Sequence, residues 1–162
     1  MIVGILSDTH DKLLPMRAGM KTLAANGARW FIHCGDVGGQ QIIDCLAGHP
    51  SAFVWGNNDW DRAGLEEYAQ QLGIQCLGYG GAIELEGKSI YVTHGDDVSQ
   101  INRVLEGQTH DYLLLGHSHS KLEAREGRVH VINPGALYRA TPRTVALLDL
   151  EKDVVSFLEV NV

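Results

Sequence analysis

The chain has 162 residues, which suits one ordinary domain over 1–162 whose core buries roughly two thirds of the unfolded surface. Thirteen Lys and Arg against twenty Asp and Glu leave a formal net charge of −7, which argues against a surface built as a whole for nucleic acid and predicts no stable nucleic-acid complex. With 44% hydrophobic residues, 20% charged and only four prolines, the composition is that of a packed globular protein and excludes a disordered tail or linker.

The first apolar run, Ile2 to Leu6, is short and ends at Ser7-Asp8, with no basic segment before it, so it reads as a strand and not as a signal peptide. Trp30-Phe31-Ile32 and Phe53-Val54-Trp55 are similar runs, each followed by a polar cluster, as expected of strands buried on both faces. Helical spacing separates them: Met16, Met20, Leu23 and Ala24 recur at i, i+4, i+7 and i+8, with Pro15 near the first turn and Asn26-Gly27 as the stop. Leu65, Tyr68, Ala69 and Leu72 repeat the pattern before Gly73, and Val98, Ile101, Val104 and Leu105 repeat it before Gly107. This alternation is the βαβ signature of a parallel sheet.

The second half is richer in hairpins. Ile83 to Leu85 and Ser89 to Thr93 flank Glu86-Gly87-Lys88; Ala124 to Glu126 and Arg128 to Ile132 flank Gly127; Val145 to Leu150 and Val154 to Val160 flank Glu151-Lys152-Asp153. The fold class expected is therefore α/β, two stacked mixed sheets with helices outside, a four-layer α-β-β-α sandwich. No stretch of 18 residues lacks charge, so no membrane span is expected, and three cysteines without CxxC spacing predict buried thiols in a reducing, cytoplasmic setting.

The residues most capable of chemistry stand where predicted strands end: Asp8-Thr9-His10, Gly35-Asp36, Gly56-Asn57-Asn58-Asp59, His94-Gly95 and Gly116-His117-Ser118-His119. In open α/β sheets the ligand crevice lies beyond the carboxyl ends of the strands, so these loops are expected to converge. Asp8 and His10, and again His117 and His119, are two apart, which in extended chain puts both side chains on one face. A mixed imidazole and carboxylate set suits Mn, Ni, Fe, Co or Zn better than Mg or Ca. His33, His49, His110 and His130 read as surface or satisfied core residues, and Gly78 to Gly81 as a turn.

Taken in order, these five segments resemble the motifs of calcineurin-like metallophosphoesterases, and the size and hairpin-rich end resemble the small YfcE-type phosphodiesterase branch. The resemblance implies two divalent transition-metal ions per chain, Mn first among them. One is held by the positions matching Asp8, His10, Asp36 and His119, the other by those matching Asp36, Asn57, His94 and His117. It also implies hydrolysis of a small phosphodiester by a metal-activated water. Asp59 is expected to orient a histidine ligand through its second ring nitrogen. Asn58 stands where many relatives carry a phosphate-contacting His, and it cannot serve as a general acid near neutral pH.

The segment after Asp36, Val37-Gly38-Gly39, lacks the Asp-Arg of Ser/Thr protein phosphatases, which disfavours that activity. Trp60 is a candidate stacking platform and Arg139 a candidate substrate contact. The alternatives weighed are an interaction scaffold of the retromer-subunit type, a phosphomonoesterase and a nuclease. A homo-oligomer is left open.

Overall fold

The computed structural model describes residues 1–162. Eleven strands and four helices form two mixed sheets. The first sheet contains β1 (Ile2–Leu6), β2 (Trp30–His33), β3 (Ser51–Phe53) and β4 (Gln75–Cys76) in parallel; β10 (Thr144–Asp149) and β11 (Val154–Glu159) continue it antiparallel beyond β1. The second runs in the order β5 (Gly80–Leu85), β6 (Lys88–Thr93), β7 (Tyr112–Leu114), β9 (Val129–Pro134) and β8 (Lys121–Glu126), with β6, β7 and β9 parallel.

Alternation along each strand divides the core into three layers. Val3, Ile5 and Ile32 of the first sheet face Ile90, Val92, Leu114 and Ile132 of the second, with the buried thiol Cys34 among them. The other face of the first sheet, Leu6, Phe31, Phe53 and Val145, packs on α1 (Leu13–Ala25), α2 (Gln40–Leu46) and α3 (Arg62–Gln71). The outer face of the second sheet places Leu113, Leu115, Val129 and Val131 against Val104 of α4 (Val98–Gly107). The result is the expected four-layer arrangement. No helix is long and apolar enough to cross a membrane.

Three elements depart from the sequence reading. The two-turn helix α2 was not expected, and Ile42, Ile43 and Leu46 bury its one apolar side. Gly80 and Gly81 open β5 instead of completing a turn, and a side chain on Gly80 would collide with Gln100. β3 covers Ser51–Phe53, although Val54 still donates to the His33 carbonyl at 3.1 Å and so extends the line of pairing.

At the end of the sandwich where β7 and β9 begin, a polar clip joins the sheets. Asp153, in the β10–β11 turn, accepts hydrogen bonds from Tyr112 Oη at 2.9 Å, His130 Nδ1 at 2.8 Å and Arg125 at 2.7 Å. Burial works against its ionisation, yet these donors hold the carboxyl down at about 2, below its ordinary 3.8. A carboxyl depressed on folding stabilises above its unfolded pKa and loses that contribution as pH falls through its folded one. Asp153→Asn is therefore expected to lower stability by about 1–2 kcal/mol at neutral pH, a figure that allows for its partial exposure. In urea titrations the gap from the parent chain closes between about pH 4 and pH 2; a constant gap would assign the loss to packing alone.

Candidate metal centre

Both sheets aim the carboxyl ends of their parallel strands at the same end of the molecule, and the candidate residues sit in the loops that leave them. Asp8 follows β1, Asp36 follows β2, Asn57 to Asp59 follow β3, His94 follows β6, and His117 and His119 follow β7. Five of these residues adopt left-handed backbone: φ is 54° at Asp8, 45° at His10, 53° at Asp36, 69° at His117 and 58° at His119. Each such residue costs about 1–2 kcal/mol against an ordinary conformation, and strain of this kind concentrates where function requires it.

The side chains converge. Asp36 Oδ2 lies 3.3 Å from both His10 Nε2 and His94 Nε2, and Asp8 Oδ1 lies 3.2 Å from His119 Nε2. Asp8 belongs to two groups of potential ligands whose donor atoms lie within 4.8 Å of one another, Asp8/His10/His119 and Asp8/Asp36/His94. His117, exposed, reaches the cluster through its ring, 5.1 Å from that of His94. Asn57, in the loop after β3, is exposed and makes no side-chain hydrogen bond.

The Asp8 carboxylate is pinned at one oxygen and left free at the other. Asp8 Oδ2 accepts from Ser7 Oγ at 2.6 Å and His117 N at 3.1 Å, whereas Oδ1, buried, has no hydrogen-bond partner. His94 Nδ1 donates to the Cys34 carbonyl at 2.8 Å, which turns Nε2 toward Asp36. Nε2 of His94 and of His10 are likewise buried and unpartnered. Three orphaned ligand atoms facing one another are costly in a metal-free fold. One or more divalent cations would satisfy all three, so the residues present fit a metal centre. The backbone accommodates them closely: a Cβ at Gly56 would fall on the Asp36 carboxylate, and one at Gly116 on Ser7 Oγ.

The electrostatics agree. Burial pushes the Asp36 carboxyl upward, but His94 and the donors of Asn58 overcome it and hold it well below the carboxylate range. Burial likewise opposes ionisation of Asp8, which the neighbouring imidazoles and Ser7 still depress. Burial disfavours charge on His94, yet Asp36 and Asp8 draw its pKa up to about 9.

Asn58 and Asp59 act on the loops. Asn58 donates to Asp36 twice, from its backbone N to Oδ1 at 2.9 Å and from Nδ2 to Oδ2 at 3.0 Å. Asp59 does not orient a histidine, contrary to expectation: its buried carboxylate accepts from Gly38 N at 2.9 Å and Gly56 N at 2.8 Å, tying the loop after β2 to the loop after β3. The histidine is instead oriented by the Cys34 carbonyl. His33 is a satisfied core residue with a bracing part that its sequence did not disclose. Its Nδ1 accepts from Gly35 N, so Nε2 donates to Thr9 Oγ1 at 2.9 Å, and Thr9 in turn donates to the Val37 carbonyl at 2.9 Å. Burial holds His33 neutral, with its pKa lowered to about 3.

The centre opens onto a cleft of about 610 Å³ lined by His10, Asn58, Trp60, His119, Tyr138 and Arg139. The Tyr138 ring packs at a tilt against that of His10, with centroids 4.9 Å apart, which places the loop after β9 beside the candidate centre. Its position after the Asn133-Pro134-Gly135 turn at a strand end was the available signal.

Comparison with known proteins gives the same picture. The phosphodiesterase MJ0936 of Methanocaldococcus jannaschii is 28% identical over 157 residues, covering 94% of this chain and 95% of that protein. The solved structure of an archaeal phosphodiesterase superposes with a TM-score of 0.91 at 26% identity, over 99% of this chain and all of that one. YfcE, a phosphoesterase from E. coli, gives a TM-score of 0.67 at 20% identity over 99% of this chain and 100% of its own. Vps29 from Entamoeba histolytica, solved with Zn, gives 0.68 at 16% over the same shares. These last two show the fold alone. The family model of the calcineurin-like phosphoesterase superfamily domain matches residues 1–153, nearly the whole of the two-sheet sandwich and every loop that meets at its end, and the chain belongs to that superfamily of phosphoester hydrolases.

Proposed function

We propose that the chain is a metal-dependent phosphodiesterase that hydrolyses small phosphodiesters at a centre of two divalent transition-metal ions. The observation that carries this is the trio of buried, unpartnered ligand atoms, Asp8 Oδ1, His10 Nε2 and His94 Nε2, around the Asp36 carboxylate. Asp8, His10, Asp36 and His119 would hold one ion; Asp36, Asn57, His94 and His117 would hold the other. When bound, such a pair neutralises phosphoryl charge and lowers the pKa of a water for in-line attack on phosphorus.

The chain's own residues do the rest. Asn58 fixes both oxygens of Asp36, Asp59 locks the two loops together, and His33 and Thr9 brace the segment between Asp8 and Val37. A diester is favoured because the segment after Asp36 supplies no arginine clamp for a phosphomonoester dianion, and because relatives similar over the whole chain are phosphodiesterases. Manganese is the metal put forward.

The test is hydrolysis of bis-p-nitrophenyl phosphate and p-nitrophenyl phosphate by metal-stripped protein, with Mn, Ni, Co, Zn and Mg returned singly. The expected outcome is cleavage of the diester restored by Mn at about two ions per chain, with Mg ineffective. Full diester cleavage by the stripped protein, or silence with every metal in a protein that binds two ions, overturns the reading.

A further inference from the structure

The cleft above the metal centre does not end there. His119 and Arg139 also line a second cavity of about 450 Å³, which continues along Lys121 and the hydroxyls of Ser118, Ser120 and Thr144. Arg139 and Lys121 line this combined groove without a carboxylate partner, whereas the Arg–carboxylate pairs of the molecule, Arg125–Asp153 and Arg128–Asp111, lie at the opposite end of the second sheet, where β7 and β9 begin. Arg139 and Lys12 instead lean over the Tyr138 ring, at 5.2 Å and 5.4 Å from its centroid. In a chain of net charge −7, unpaired cations gathered beside one groove mark the place an anion is held.

The opposite wall carries a different feature. Of three tryptophans, Trp55 is buried and Trp30 half-buried, but Trp60 is 74% exposed and lines the cleft next to Asn58. An aromatic face held open beside a phosphoester site is the surface on which a planar base stacks. Asp11, the one acidic side chain of the cleft outside the metal cluster, does not line the second cavity.

We propose that the substrate is a short dinucleotide-type diester with a terminal phosphate: one base stacks on Trp60, the internucleotide phosphate lies at the metal centre, and the terminal phosphate sits between Arg139 and Lys121. This rests on the phosphodiesterase reading above. In the reaction a water oxygen bonds to phosphorus and the P–O bond to one nucleoside breaks. That nucleoside leaves as an alcohol after taking up a proton, the other keeps the phosphate as a monoester, and one proton goes to solvent. The groove is short and the chain carries a formal net charge of −7, so a long single strand gains nothing beyond its first two residues.

The experiment compares kcat/KM of the Mn-loaded protein on a 5′-phosphorylated dinucleotide, the same dinucleotide without that phosphate, a long single strand and bis-p-nitrophenyl phosphate. The phosphorylated dinucleotide is expected to be preferred over the bare one by at least about tenfold, the strength of one charge-assisted hydrogen bond. Arg139→Ala and Lys121→Ala each reduce that ratio about tenfold, while Lys88→Ala, at the far end of β6, leaves the ratio as it was. Trp60→Ala raises KM for both dinucleotides about tenfold, and Trp60→Phe restores it in part. Equal cleavage of the two dinucleotides, a ratio untouched by Arg139→Ala, or faster cleavage of the long strand overturns the proposal. Cleavage of bis-p-nitrophenyl phosphate alone refutes this inference and leaves the parent reading standing; its absence refutes both.

Discussion

Asp36→Asn is expected to lower kcat/KM for bis-p-nitrophenyl phosphate at least about a thousandfold and to remove metal from the protein at the same time. The carboxylate stands 3.3 Å from an imidazole of each implied ligand set, His10 and His94, and both of its oxygens are already fixed by Asn58. An amide of the same shape keeps the packing but supplies one oxygen instead of two and no charge. The Nδ2 donor of Asn58 then faces either an NH₂ group or a neutral oxygen. A thousandfold corresponds to about 4 kcal/mol of lost transition-state stabilisation, within what a Lewis-acid pair contributes.

Two further readouts separate a lost centre from a damaged fold. Binding to the native state alone stabilises by RT ln(1 + [L]/Kd), about 2.7 kcal/mol when the metal is present at a hundred times its Kd. Mn should therefore raise the melting temperature of the parent chain and leave that of the variant nearly unmoved. Elemental analysis should find the variant depleted of ions. A variant that keeps both ions and its activity would remove Asp36 from the centre.

The sequence disclosed this centre better than it disclosed what holds the centre together. Parallel strands buried on both faces announce themselves as continuous apolar runs, so β1 and β2 and the polar loops behind them were legible, and the loops carried the candidate ligands. α2 was not legible, because seven residues with two apolar neighbours and no capping side chain give no period to count. The first half of β8 was missed for a related reason: Lys121, Leu122 and Glu123 are exposed on an edge strand, and their composition is that of a loop.

The part taken by Asp59 was out of reach for a different reason. Its partners are the backbone N–H groups of Gly38 and Gly56, one 21 residues away, and no side-chain pattern records a backbone donor. His33 was similarly hidden, since a buried neutral imidazole bridging Thr9 and Gly35 looks, in sequence, like any polar residue at the end of a strand. The left-handed backbone at five candidate ligand positions is invisible too, because Asp and His tolerate it only under tertiary constraint.

Asn58→His is expected to change which esters the enzyme can cleave. In the present chain the residue lies at the cleft beside the Asp36 carboxylate and donates Nδ2–H to it at 3.0 Å, so it can orient and hydrogen-bond but has no proton to give a departing alkoxide at neutral pH. p-Nitrophenolate needs no such help. An alkoxide does, and general acid catalysis is worth about 10²–10⁴-fold where it operates. The parent chain should therefore show a steep decline of kcat with leaving-group pKa in a series of aryl and alkyl diesters.

An imidazole at position 58 should flatten that decline, raising alkyl ester turnover about a hundredfold while p-nitrophenyl turnover stays the same or falls as Asp36 loses one donor. It should also add a descending limb to the pH–rate profile for alkyl esters, since the catalytic form of the new group is the protonated one and its fraction drops as pH rises through the imidazole range. A parent chain that cleaves alkyl and nitrophenyl esters at equal rates would mean that another group already donates the proton. In this cleft His119 would then be the residue to change next, because its ring lines the groove as well as facing Asp8.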